Sequence, residues 1–277
     1  MKEWISDIVG LGYAQSIQID SILYDGRSAF QHIQIATNPA FGRMLILDDA
    51  VQTTEADEFA YHEMLVHPAL VTHPHPLRVL IIGGGDGGTL EEVLKHPVEH
   101  ATIVEIDREV VEISRKFLSS ICDRAFDDRR VRLLIEDGIE FVRRTQERFD
   151  VILVDSTDPK GPGAALFAAE FFAACARALT DDGLLVAQSG SYIFQANLTE
   201  RVVGHLGALF PEVATYWAAV PAYPGVVWSF TAGSKRHDPR TLAAQQIARR
   251  LQSVPTRYYT PPIHTAAFVL PPRPIDK

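Results

Sequence analysis

The chain has 277 residues, 47% hydrophobic and 22% charged, which is ordinary globular composition with enough apolar material for one or two domains. Its 35 acidic and 26 basic residues leave a net charge of -9 and a pI near 5.6, which argues against a nucleic-acid partner, since such partners call for a basic footprint. No apolar run approaches the ~18 residues that span a bilayer, the first ten residues lack a basic-then-apolar leader, and Cys122 and Cys175 form no CxxC pair or metal cluster, so a cytoplasmic protein without membrane or metal partners is expected.

Residues 16–23 and 29–37 alternate apolar and polar side chains, the period of half-buried strands. Residues 43–54 read as two short strands around a tight turn at Asp48-Asp49, where Asp tolerates unusual backbone angles. Residues 56–70 then place Phe59, Met64 and Leu65 at helical spacing before the breaker-rich "THPHP". That stretch is the expected boundary between an N-terminal β-strand domain with a linking helix, over 1–74, and a catalytic domain over 75–277. Beyond it, residues 78–82, 101–107, 131–137, 149–155 and 183–189 are short β-branched runs, continuous rather than alternating. Parallel strands buried on both faces read this way. Helical segments at 88–96, 108–118 and 168–179 lie between them, so an α/β fold with a doubly wound, mostly parallel, Rossmann-like sheet is predicted. Two further strands near 213–220 and 226–233 and a helix near 242–252 follow.

The first βα junction, "RVLIIGGGDGGTLEEVLKH", carries G-x-G-x-x-G at Gly83, Gly85 and Gly88. Glycines there permit a tight turn and close approach of a ligand to the backbone at a helix N-terminus. Glu105, in "VEID", falls about 20 residues on, where an acid accepts both ribose hydroxyls of a nucleoside. Asp137 and Gly138 sit at the tip of the third strand, facing the crevice in which open α/β sheets bind ligands. Asp137 can accept from an adenine amino group, cap the following helix, or do both.

The fourth strand ends in "VILVDSTDPKGPG", with Asp155 and Asp158 in a loop stiffened by Pro159 and Pro162. Two carboxylates with no cation between them are costly unless something cationic arrives. Asp86, inside the glycine loop, adds a third. It would repel a phosphate or the carboxylate of S-adenosylmethionine, whereas an amine-bearing donor meets no such conflict. A metal site is the rival for such a cluster, and plain helix capping is the bland reading. His62-Glu63 is no zinc-protease motif, because the next histidine is His67, five residues on rather than four.

At these residues the sequence closely resembles the spermidine synthase family. The match runs from "FGRMLILD" and "VQTTEADEFAYHEMLVH" through "VLIIGGGDGG", "VEID", "EDG" and "DSTDPKGPG" to "VPAYPG" and "YYTPPIHTAAFVLP". It implies a small N-terminal β-domain ahead of a methyltransferase-like Rossmann domain, in a homodimer or homotetramer. The implied reaction moves the propylamine group of decarboxylated S-adenosylmethionine, a co-substrate rather than a cofactor, to a small diamine such as putrescine. The resemblance places Gln31, Glu105, Asp137, Gly138 and Pro162 on the nucleoside sulfonium donor. It places His62, Asp86, Asp158 and Tyr223 around the amine with Tyr61 beside them, and Asp155 in the general base's position. Tyr61 and Tyr223 suit a tetramethylene chain and its ammonium ends. The family pattern is broken at Asp49, where a turn glycine is usual, at Ala222, usually threonine, and at Val226, usually a second glycine. The alternatives are an S-adenosylmethionine methyltransferase on the same fold and an inactive polyamine-binding module.

Overall fold

The computed structural model describes residues 3–10, 12–122, 124–159 and 161–272. Strands β1 (Glu3–Gly10) and β2 (Tyr13–Ile19) pair as an antiparallel hairpin. Strands β3 (Ser21–Arg27), β4 (His32–Asn38), β5 (Gly42–Leu47) and β6 (Ala50–Thr54) form a four-stranded antiparallel sheet in chain order. The alternation over 16–23 is therefore cut at Asp20 into strands of two different sheets, and β1 is a strand that the sequence reading did not assign. Asp48 and Asp49 close β5–β6 with φ of 44° and 66°, the left-handed pair that a two-residue hairpin demands.

Helix α1 (Glu58–Thr72) follows, and every residue in it except Phe59 is buried. Such a helix must find an internal partner for each polar group it carries. Pro68 has no N–H, so the Met64 carbonyl loses its helical donor; the buried Tyr216 hydroxyl donates to that carbonyl at 2.9 Å instead. Glu63, wholly buried, accepts from the backbone N–H groups of Arg257, Tyr258 and Tyr259 at 2.6, 2.9 and 2.6 Å.

The rest of the chain alternates as expected: β7 (Arg78–Gly83), α2 (Gly88–Leu94), β8 (His100–Glu105), α3 (Arg108–Phe117), α4 (Ser119–Cys122), β9 (Val131–Ile135), α5 (Gly138–Arg144), β10 (Phe149–Asp155), α6 (Ala169–Ala178), β11 (Leu179–Ser191), α7 (Ala196–Gly207), β12 (Glu212–Ala219), β13 (Val227–Ser234), α8 (Ala244–Arg250) and α9 (Pro261–Ala267). Helices α4, α7 and α9 were not foreseen. The strand order is β12-β13-β11-β10-β7-β8-β9, all parallel except β13. One face of the sheet packs Ile81, Leu153 and Phe230 against Leu65 and Leu70 of α1. The other packs Ile82 and Ile152 against Phe171, Phe172 and Leu206. A separate cluster seats Ile33, Ile35 and Leu45 of the small sheet on Val110, Leu118 and Ile121. The small sheet therefore roofs the strand tips. Among the described residues no helix is long and apolar enough to cross a membrane.

Candidate active site

The chain leaves β7 toward β8 on one side, while β10 pairs with β7 on the other. The strand tips diverge at this switch point, where open α/β sheets bind their ligands. Gly83 and Asp155 face each other across it. Gly83 has φ of 83°, and a Cβ there would come 2.0 Å from the Asp155 carbonyl oxygen, so this crossing admits no side chain. A cleft of about 1030 Å³, including its open mouth, lies beyond the tips.

Gln31, Gly83, Gly85, Glu105, Asp137 and Gly138 all line this cleft. Glu105, at the end of β8, is nearly enclosed, and its Oε1 accepts from the Asp107 N–H at 2.8 Å. Burial, opposed by that hydrogen bond, pushes its carboxyl up to about 7. Asp137 caps α5, accepting from the Ile139 N–H at 2.7 Å, and also lines the cleft. Gln31 reaches in from the roof, donating through Nε2 to Asp107 at 2.9 Å. Pro162 falls in the 3-10 helix Gly161–Phe167, but its side chain lies outside the described residues.

At the inner end stand Tyr61, Asp86, Asp155 and Tyr223. Asp155 accepts from the Tyr61 hydroxyl on Oδ1 at 2.9 Å and from the Thr89 hydroxyl on Oδ2 at 2.7 Å. Burial, reinforced by the neighbouring Asp86 charge, raises its pKa. Asp86 goes the other way: burial opposes its charge, but His62 and the Gly88 N–H at 2.9 Å outweigh burial and lower it. Both tyrosines are held well above the usual phenol value, first by burial and then by these carboxylates, and remain phenols. Their rings meet edge-on at 5.5 Å. The Tyr223 hydroxyl donates to the Gln52 carbonyl, and its loop is anchored by the Ala222 N–H, which donates to Asp57 at 2.7 Å.

A smaller chamber of about 350 Å³ adjoins the cleft behind Tyr61 and Tyr223. Asp158 lies there, its Oδ2 accepting from Gln195 Nε2 at 2.9 Å, together with Gln52, Gln188 and Trp228. His62 lines neither chamber: Glu58 and Asp86 take up its two ring nitrogens. Nor do Ala222 and Val226. The Ala222 methyl packs with Ile17, Met44 and Val51 in the core of the small domain, and Val226 lies at the surface.

Sequence reasoning missed Gln52, Thr89, Gln188 and Trp228. Gln188 had a signal, a polar residue near the tip of the apolar run "LLVAQ"; Thr89 had none. His62, Asp86 and Asp155 each bring one donor atom within 4.8 Å of the others, close enough to share a cation. Among the described residues the main cleft is lined by four carboxylates and by no Lys, Arg or His.

Comparison with known proteins gives this geometry its context. Residues 58–242 match the spermine/spermidine synthase domain and residues 3–55 the spermidine synthase tetramerisation domain. A polyamine aminopropyltransferase of Desulforudis audaxviator is 46% identical over 272 residues, 98% of this chain and 97% of that one. One from Pseudomonas syringae pv. tomato is 46% identical over 263 residues, covering 94% and 92%. A crystal structure of spermidine synthase in complex with the transition-state analogue AdoDATO superposes with a TM-score of 0.92 at 38% identity, over 97% of this chain and 92% of that one. Spermidine synthase from Thermotoga maritima superposes with a TM-score of 0.88 at 36% identity, over 97% and 91%.

Proposed function

We propose, from the premise that this chain belongs to the spermine/spermidine synthase family, that it carries the propylamine group of decarboxylated S-adenosylmethionine to a diamine. Putrescine is the favoured acceptor, with spermidine and methylthioadenosine as products and Asp155 as the general base. The observation that carries this reading is the lining of the cleft, four carboxylates with no Lys, Arg or His among the described residues that face it. Such a pocket favours ligands that bring positive charge, and both a sulfonium donor with a free amine and a protonated diamine do so. A methyl donor bearing its own carboxylate would meet Asp86 at close range.

The chemistry follows from the residues. The sulfonium makes the propyl carbon an electrophile, so no further activating group is required. The acceptor arrives as an ammonium with a pKa of about 10, so near neutrality only about one molecule in a thousand is nucleophilic. Asp155 takes the proton, helped by the raised proton affinity that burial and Asp86 confer. The freed nitrogen lone pair forms the new C–N bond as the C–S bond breaks, and the departing electron pair neutralises sulfur as a thioether. Asp86, kept ionised, and Asp158 in the adjoining chamber hold ammonium nitrogens. Tyr61 and Tyr223 flank the carbon chain between them, and alignment of nitrogen, carbon and sulfur supplies much of the acceleration. The match of residues 3–55 to a tetramerisation domain supports a homo-oligomer.

The test is a panel of amine acceptors with decarboxylated donor, read by mass spectrometry, alongside ordinary S-adenosylmethionine. Methylthioadenosine together with an aminopropylated amine, unaffected by chelators, is the expected result. Methyl transfer without aminopropyl transfer would sink the assignment, and loss of activity with a chelator would return the acid cluster to a metal.

A further inference from the structure

Two carboxylates grip the His62 ring from opposite edges. Glu58 Oε2 lies 2.8 Å from Nδ1, one helical turn back on α1, and Asp86 Oδ2 lies 3.5 Å from Nε2. The ring is only 2% exposed. Gly88 closes over it so tightly that a Cβ there would come 2.2 Å from Cε1, and the Tyr61 ring abuts it edge-on at 5.4 Å. Nothing in this arrangement leaves a ring nitrogen for a substrate. On the reading that Asp86 anchors a substrate ammonium, we propose that His62 is not an amine ligand but a positioning residue, which Glu58 holds in place and which in turn holds the Asp86 carboxylate toward the amine.

A neutral imidazole has one N–H and one lone pair, so one of the two carboxylates would face a lone pair; only the imidazolium donates to both. Burial opposes that charge, but Asp86 and Glu58 together outweigh burial and raise the ring's pKa well above its ordinary value. The other charged groups around the ring are Asp155 on β10 and Glu92 on α2, both acidic, and Arg257 stands 3.7 Å from the outer oxygen of Glu58. The consequence is a division of labour between two carboxylates in one pocket. The imidazolium under Asp86 lets that group stay ionised as an anchor, and Asp86 in turn keeps Asp155 avid for a proton. Environments that push two carboxyls apart are how a site separates such roles.

The test compares His62→Gln, Glu58→Gln and the double variant, assayed with decarboxylated donor and putrescine. Removing a charge-assisted contact should raise the putrescine KM by about ten-fold or more in either single variant. Without the imidazolium the Asp86 pKa rises, so the acid limb of kcat/KM should move to higher pH in both. Methylthioadenosine affinity, measured by calorimetry, should stay within about two-fold of wild type, and the double variant should be no worse than the worse single, because Glu58 acts only through the ring. Arg257→Met should keep the wild-type KM, which separates the Glu58 effect from its outer ion pair. A raised KM in His62→Gln with wild-type behaviour in Glu58→Gln would mean that the ring touches the amine, and would overturn the proposal. Wild-type behaviour in both, or additive losses, would overturn it too. If His62→Gln fails to fold, Glu58→Gln decides alone. Absence of transfer to any amine would instead defeat the functional reading. In that event the ring ¹⁵N shifts of histidine-labelled protein still decide: both nitrogens protonated at about pH 8 supports the positioning role, and a neutral ring refutes it.

Discussion

Glu105 offers a quantitative handle on the nucleoside site. Burial lifts its carboxyl to about 7, from an ordinary 4.5. Ribose hydroxyls are donors, and donors favour the carboxylate, so a bound nucleoside should draw the proton off. Only the ionised fraction of the free protein is then ready to bind. With a midpoint at about 7 that fraction is about 0.9 at pH 8 and about 0.1 at pH 6, so affinity for methylthioadenosine should fall about ten-fold across the interval. Titration calorimetry over this range, in two buffers of different ionisation enthalpy, measures both the affinity and the proton released. Glu105→Gln should flatten the pH dependence and weaken binding at pH 8 by about ten-fold or more, since a charge-assisted hydrogen bond is worth roughly 1.5–3 kcal/mol. The unliganded protein should show the opposite sign. A carboxyl whose proton is held more tightly folded than unfolded makes the fold lose stability as pH rises from 4.5 to about 7. Thermal stabilisation by methylthioadenosine should accordingly be larger at pH 8 than at pH 6. An affinity that stays level from pH 6 to 8 in the wild type, or a pH slope that survives in Glu105→Gln, would refute the reasoning.

Asp155→Asn should cost about 10²–10⁴-fold in kcat while leaving methylthioadenosine affinity intact. The gap should narrow between about pH 7 and 9.5 as the amine arrives already deprotonated; a constant ratio of the two rates would count against the base. Tyr216→Phe strands the Met64 carbonyl in the core and should destabilise the fold by about 1–3 kcal/mol, seen as a lower midpoint in denaturant. Val226 is β-branched at φ of 64° and 40% exposed, so Val226→Gly should relieve about 1–2 kcal/mol of backbone strain. Glycine's extra unfolded entropy takes back about 0.5–1 kcal/mol, and a variant less stable than wild type would show that the strain reading is wrong.

The α/β domain was legible because its strands are continuous apolar runs, and burial on both faces leaves no other reading for them. The cleft residues carried by strand tips, Glu105, Asp137 and Asp155, could be named for the same reason: the sheet fixes where a tip points. What escaped depended on contacts between elements remote in the chain. Thr89 matters because α2 starts beside β10, and Gln52 because the loop of Tyr223 folds back onto β6. His62 is a different case. The resemblance places it around the amine, whereas the ring lines neither chamber and lies under Gly88, whose missing side chain lets the loop come down onto it. Helix α1 gave a weak signal because, buried on all sides, it has no polar face for periodicity to reveal.

The three backbone N–H groups that converge on Glu63 bear on the order in which the molecule can be made. Their donors lie 194, 195 and 196 residues downstream of the carboxylate they satisfy. During synthesis α1 therefore cannot bury this charge until residue 259 has left the ribosome, whereas the small sheet before it pairs among neighbours and can settle early. An unsatisfied carboxylate in the core opposes premature docking of α1, and contacts of such long sequence separation form slowly. The helix that presents Tyr61 is thus among the last parts to lock. A nascent chain stalled short of residue 257 should expose α1 to proteases even while its nucleotide-fold strands are already protected.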